Sequence, residues 1–244
     1  MLKNLEIYVI NLDRSKDRLN NMKTKLKKLN LDFTRQPAVD GKKTTFTSKE
    51  VNAKKYSLCH GKYITPTEVA CYMSHYNTLK NFYENSDKDF ALILEDDMEF
   101  VPDFKKILEK LLSKPCWDIV KLNGGHGGGS IKYKQIMPNY NLVLNLFHQS
   151  KSGAYLVNKK AAKAYVEKML PMFVPFDHEL VKYWKYKLNG FSLSPFPSWE
   201  GEDGNTSTID YKMVKKNRKP FYKKLPTVIY KSYIAITRLL HFGK

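Results

Sequence analysis

Long apolar runs are missing from this 244-residue chain. None approaches the ~18–20 residues a bilayer-spanning helix needs, so no transmembrane span is expected. Cysteine is scarce. Cys59, Cys71 and Cys116 are scattered, form no paired framework, and fit a reducing compartment. Met1–Glu6 lacks a basic region followed by an apolar stretch, so no secretory signal is expected, and Asn205-Thr206-Ser207 then means little as a glycosylation acceptor. There is no P-loop and no Gly-X-Gly-X-X-Gly. His126-Gly127-Gly128-Gly129 is similar to an esterase oxyanion loop, but no Gly-X-Ser-X-Gly nucleophile accompanies it. Cys59, His60, Cys71 and His75 match no standard zinc spacing. Acidic residues are absent after Asp210.

What is present is a basic, core-forming composition. Hydrophobic residues make up 42% and charged residues 27%, which argues against global disorder. The net charge of +18 points to an anionic partner: nucleic acid, a membrane surface or a phosphorylated substrate. Ten of the basic residues fall between Lys212 and Lys244. The chain therefore divides into a mildly basic body, residues 1–210, and a strongly basic tail, residues 211–244. On a helical wheel Ile229, Tyr233, Ile236 and Leu240 share one side, and Lys231 and Arg238 lie on another. Such a helix suits either an anionic lipid interface or a dock on its own domain.

The body reads as alternating strands and helices. Leu5–Asn11, Phe33–Val39, Phe90–Leu94, Trp117–Leu122, Gly153–Val157 and Phe191–Phe196 have strand character, with two weaker strands near 131–147. Helices are expected from Ser15, from Pro66 and from Pro102. Two more are expected along Ala161–Met169 and Phe176–Trp184. Residues 40–63 read as one long loop. This order predicts an α/β domain with a mostly parallel sheet, whose ligands bind beyond the carboxyl ends of the strands.

Glu95-Asp96-Asp97 stands at the end of the clearest strand. Alternation along a strand aims Glu95 and Asp97 at one site and turns Asp96 away. Two such carboxylates suit a hard divalent cation completed by water and phosphate oxygens.

Several blocks then resemble glycosyltransferase family 25, in the order that family has them. Ile10-Asn11-Leu12-Asp13-Arg14-Ser15 with Asp17-Arg18 resembles its opening motif. Glu68–His75 resembles its second, and Leu94-Glu95-Asp96-Asp97 its metal motif. Ser152–Val157, Pro175-Phe176-Asp177 and Gly201-Glu202-Asp203-Gly204, with Ser207 beyond, are similar to later blocks. The resemblance covers residues 5–210 and excludes the tail. It implies a GT-A-like Rossmann-type fold and inverting transfer of a hexose, usually galactose from UDP-galactose, to a saccharide hydroxyl. It implies Mn²⁺, with Mg²⁺ as the alternative, held by Glu95 and Asp97. Donor binding falls to Asn11, Leu12, Arg14, Arg18, Ser74, His75 and Asp96. Asp177 is the first choice for the base, with Glu202 and Asp203 as rivals. Trp199 is either a platform under a sugar ring or a core residue. The acceptor implied is a lipid-linked oligosaccharide of lipopolysaccharide type, and the enzyme is expected in the cytoplasm, peripheral on the inner membrane face. The alternatives are a nucleic-acid-binding protein and a metal-dependent phosphohydrolase using the same acidic site. No nucleic acid is expected, because the basic residues follow no recognised motif.

Overall fold

The structure is a computed structural model that describes residues 2–125, 129–201, 220 and 223–242. A one-turn 3₁₀ helix (Leu2–Asn4) leads into β1 (Leu5–Asn11), α1 (Lys16–Lys28) and β2 (Thr34–Pro37). Then come α2 (Ala53–His60), α3 (Pro66–Asn85), β3 (Phe90–Glu95), β4 (Met98–Phe100) and α4 (Phe104–Ser113). The next elements are β5 (Ile119–Lys121), β6 (Ser130–Met137), β7 (Tyr140–Asn145), β8 (Ala154–Asn158), α5 (Lys159–Lys168) and α6 (Phe176–Leu180). A 3₁₀ turn (Tyr183–Tyr186), β9 (Gly190–Ser194), β10 (Ser198–Glu200) and α7 (Leu225–Phe242) complete the described elements.

Eight strands form one sheet in the order β2-β1-β3-β8-β5-β9-β7-β6. Following the pairings outward, six strands run one way, and β8 and β7 run against them. The expected mostly parallel α/β sheet is thus present, with two reversed strands inserted. Alternate side chains feed two cores. Tyr8, Ile10, Ala91, Ile93, Tyr155 and Val157 meet the α3 and α5 side chains Leu79, Phe82, Ala161 and Tyr165. Ile7, Val9, Leu92, Leu94 and Leu156 meet Met22 and Leu26 of α1 and Phe104, Ile107 and Leu108 of α4. Period-two strands against helices on both faces give a three-layer domain.

Three expectations need correction. The long loop at 40–63 contains α2, which begins where the Asn52 side chain accepts from the Lys55 N–H. Only Tyr56 of α2 is buried, so the segment carries no apolar stripe to read. The helix expected along Phe176–Trp184 stops at Leu180 and resumes as a 3₁₀ turn at Tyr183. The strand ending near Phe196 is not the last: β10 follows and pairs antiparallel with β4, placing Trp199 opposite Glu99.

The tail helix α7 docks on the body, through an unexpected face. Thr227 Oγ1 donates to the Leu58 carbonyl at 2.7 Å, Tyr230 lies edge-on to Phe173, and Arg238 stacks over Trp184 at 5.2 Å. Arg238 is buried, and so is lost from the basic side of the wheel. Val228, Ile229, Tyr233, Ile236, Leu239 and Leu240 all point to solvent.

Gly190 opens β9 beneath Tyr183. A Cβ there would lie 2.0 Å from the tyrosine ring. Gly190→Ala is therefore expected to destabilise the fold by about 1–3 kcal/mol, the usual cost of overpacking. A lower urea midpoint with an unchanged slope would show it; an unchanged midpoint would mean the ring moves aside freely.

Candidate active site

Parallel pairing brings two strand ends together. Ile10 of β1 is in register with Glu95 of β3, so Asn11 and the acidic turn sit side by side at the carboxyl edge of the sheet. Beyond that edge lies an open pocket enclosing roughly 810 Å³, solvent mouth included. Its walls are the β1–α1 junction (Leu12, Arg14, Ser15, Arg18), the segment Ala38–Gly41, one side of α3 (Thr67, Ala70, Cys71, Ser74, His75) and Glu95-Asp96-Asp97.

The α3 wall is held from its first turn. Thr65 and Glu68 form a reciprocal capping box and Pro66 occupies the first turn. Ser74 Oγ donates to the Ala70 carbonyl at 2.7 Å and accepts the Val39 N–H at 2.9 Å. Ser74 thereby fastens the Ala38–Gly41 wall to the helix. Gly41 is required here, because a Cβ would lie 2.6 Å from the Pro66 carbonyl oxygen.

The three carboxylates have different partners. Asp96 turns to the protein: Asn11 Nδ2 donates to it at 2.6 Å and Arg18 at 3.1 Å. Glu95 meets His75 Nε2 at 3.1 Å. His75 is almost fully buried, stacks face to face on Phe176 at 4.1 Å, and places Nδ1 3.0 Å from the Tyr155 hydroxyl. Asp97 Oδ2 lies 3.6 Å from Arg18, while its buried Oδ1 has no hydrogen-bond partner among the described residues. Burial, then the charges of Glu95 and Asp96, push the Asp97 carboxyl up to about 7. An orphaned carboxylate oxygen next to a second carboxylate suits a hard divalent cation, so Glu95 and Asp97 fit the expected metal. Cys71 also lies beside His75 and Glu95. Burial and the charge of Glu95 hold its thiol well above its usual range, so it offers no thiolate.

The structure redistributes the expected donor contacts. Leu12, Arg14, Arg18, Ser74, His75 and Asp96 all line the pocket; Asn11 does not. The Asn11 carboxamide donates to Asp96 and the Ser15 carbonyl and accepts from Arg35, so it is unavailable to a base. Arg18 clamps the acidic turn, and Arg14 is ion-paired with Asp40.

Asp177 lies outside the pocket wall, one residue after the phenylalanine that supports His75. Its Oδ2 accepts the Lys151 N–H at 3.2 Å and its Oδ1 the His178 N–H at 2.9 Å. The second of these bonds joins it to its own neighbour, and it does not cap α6. Lys151 also ion-pairs with Glu200 through Nζ at 2.9 Å. Trp199, beside Glu200, is half exposed, which removes it from the core. The Gly201 N–H donates to the Asp97 carbonyl at 2.8 Å, bringing the chain to the acidic turn. Glu202, Asp203, Ser207 and His126–Gly128 lie outside the described residues.

Sequence reasoning missed several supports. Lys121, wholly buried, donates to the Gln149 and Ser150 carbonyls at 2.9 and 3.0 Å and so holds the loop that carries Lys151. Burial brings it down to about 7. A lysine in an apolar strand was its only signal. Tyr155 and Phe176 lay inside the family-like blocks without an assigned role.

The chain belongs to glycosyltransferase family 25. The profile described as "Glycosyltransferase family 25 (LPS biosynthesis protein)" matches residues 4–125. The chain is similar to procollagen galactosyltransferase 1-A of Xenopus laevis, 30% identical over 244 residues, covering 87% of this chain and 39% of the relative. It is similar to the 1-B form of the same organism, 29% identical over 240 residues with the same coverages. Procollagen galactosyltransferase 2 of Homo sapiens is 28% identical over 238 residues, covering 84% of this chain and 38% of the relative. The chain thus spans well under half the length of these relatives.

The raised carboxyl predicts a pH effect. Asp97 titrates near 3.8 when unfolded and about 7 when folded, so between those values the folded state binds more protons. For this group stability is highest below pH 4 and falls as pH rises to 7. Metal-free Asp97→Asn should lack that fall and melt higher than the parent at pH 7.5. Melting curves from pH 4 to 8 in EDTA check this; parallel curves for the two proteins refute it.

Proposed function

We propose that this chain transfers a hexose, with galactose from UDP-galactose as the first donor to test, to a saccharide hydroxyl with inversion at the anomeric carbon. The observation that carries the reading is the buried Oδ1 of Asp97, unpartnered among the described residues, beside Glu95 in a pocket at the strand ends. The pocket wall also offers Arg14 and Arg18 for an anionic donor. Family membership supports glycosyl transfer, and the names of the relatives support galactose.

Glu95 and Asp97 would hold Mn²⁺ or Mg²⁺, which when bound supplies Lewis-acid stabilisation of the leaving diphosphate. His75 keeps the Glu95 carboxylate aimed at the pocket, and Arg18 keeps Asp96 and Asp97 from swinging apart. The acceptor oxygen forms its bond to the anomeric carbon as the bond from that carbon to the diphosphate breaks. Asp177 takes the hydroxyl proton, and UDP leaves. The Lys151 and His178 N–H groups fix the orientation of the Asp177 carboxylate. Trp199 offers an exposed ring face for the acceptor sugar. Asp177→Asn should lower transfer by about 10²-fold or more with UDP affinity little changed. Released UDP, measured with UDP-sugars and Mn²⁺ with and without a saccharide acceptor, tests both points. Donor hydrolysis indifferent to acceptor would favour a phosphohydrolase, and a fully active Asp177→Asn would move the base elsewhere.

The acceptor in this reading is a lipid-linked oligosaccharide of lipopolysaccharide type, met on the inner face of the cell membrane. No described helix is long and apolar enough to cross a membrane. The outward apolar face of α7 and exposed Lys231 support peripheral docking on anionic lipid instead. Each lysine near such a surface contributes about 1 kcal/mol, less at higher salt. Replacing Val228, Ile229, Ile236 and Leu240 together by serine should reduce co-sedimentation with anionic vesicles while the melting temperature holds, since none of the four supports the dock. Unchanged sedimentation would remove the membrane from the reading.

A further inference from the structure

Three of the chain's six histidines meet away from the donor pocket. They come from separate elements: His60 ends α2, His148 follows β7, and His178 lies in α6. His148 and His178 stack at 4.0 Å, and His60 stands edge-on to His178 at 5.1 Å. His148 Nε2 lies 3.9 Å from Asp177 Oδ2. One ligand atom from each of His148, Asp177 and His178 falls within 4.8 Å of the others. His148 Nε2 and His60 Nδ1 are buried without a hydrogen-bond partner among the described residues. A buried ring nitrogen left unbonded is costly, and a metal bond satisfies it as a proton donor would.

We propose that His148, His178 and Asp177 form a second metal site, of a different class from Glu95 and Asp97, that takes Zn²⁺. Two imidazoles and one carboxylate form a three-ligand set that leaves a fourth position for water. Lys62, Lys182 and Lys231 lie around His178, and Lys121 and Arg238 around His148, and all of them oppose a dication. Only a metal with strong imidazole bonds overcomes that repulsion, which selects Zn²⁺ over Mg²⁺ or Mn²⁺. A zinc ion here occupies the Asp177 oxygen and blocks proton transfer to it, so the site is inhibitory. That consequence rests on Asp177 being the base; binding itself does not.

The binding test uses the Asp97→Asn protein, in which the oxygen site is disabled. Equilibrium dialysis should retain one equivalent of Zn²⁺, and Co²⁺ in its place should give a visible d–d band. His148→Ala, on a loop, and His178→Gln should each weaken retention at least about tenfold, with circular dichroism confirming the fold. No stoichiometric zinc in Asp97→Asn, or equal retention after both histidine changes, overturns the site. In the wild type with excess Mn²⁺, transfer should fall in step with zinc occupancy. Zinc bound with transfer intact keeps the site and removes Asp177 as the base.

Discussion

The structure of this site depends on the repulsion among three consecutive carboxylates at the end of a buried strand. Two like charges about 4 Å apart in an effective dielectric of ~20 oppose each other by roughly 4 kcal/mol. A strand as apolar as Phe90–Leu94 cannot end in three unshielded charges. Each neighbour of the turn answers part of that problem. Asn11 and Arg18 take Asp96, His75 takes Glu95, and Asp97 is left raised toward neutrality with one oxygen unbonded among the described residues. In the proposed reading a cation completes the turn. Its local instability and its proposed function are the same fact.

The supports of the turn lie far apart in sequence, which explains the shape of the fold around it. The pairing of β1 with β3 must be parallel to put Asn11 next to Asp96, and α1 must begin at once to present Arg18. His75 comes from the middle of α3, and its ring is fixed by Phe176 and Tyr155, from α6 and β8. Reversed β8 passes next to β3, so Tyr155 stands in register with Ile93, two residues before Glu95. The antiparallel insertion thus delivers a hydroxyl to the far side of His75.

Much of this was legible in the sequence where local pattern and chemistry coincide. The strand running into Glu95-Asp96-Asp97 was readable, but its alternation did not carry through: β3 ends at Glu95, Asp96 and Asp97 form a turn, and all three carboxylates line the pocket. The capped start of α3 was readable from Pro66. What was not readable depends on partners distant in sequence. Asn11 looked like a donor ligand because nothing local shows that Arg35 and Asp96 engage its amide. The three histidines carry no common spacing, so only the fold assembles them. Segment α2 escaped because one buried tyrosine is no periodic signal. The wheel found the apolar side of α7 correctly. The default that an apolar side faces the protein then failed, because Thr227, Tyr230 and Arg238 make the dock.

That inversion bears on how the net charge is arranged. A helix that buries an arginine over a tryptophan and leaves isoleucines and leucines in water is poorly explained as packing alone. Burying Arg238 costs solvation, which the Trp184 ring offsets only in part. The same eighteen residues rotated about their axis would bury the apolar side and solvate the arginine. In the proposed reading the outward side enters an apolar phase, and with no acidic residue on α7 that phase is better anionic than neutral. The acidic turn and the outward helix therefore pose complementary problems. One concentrates negative charge, which the proposed cation would offset, and the other presents apolar surface with exposed Lys231, which the proposed anionic lipid would cover.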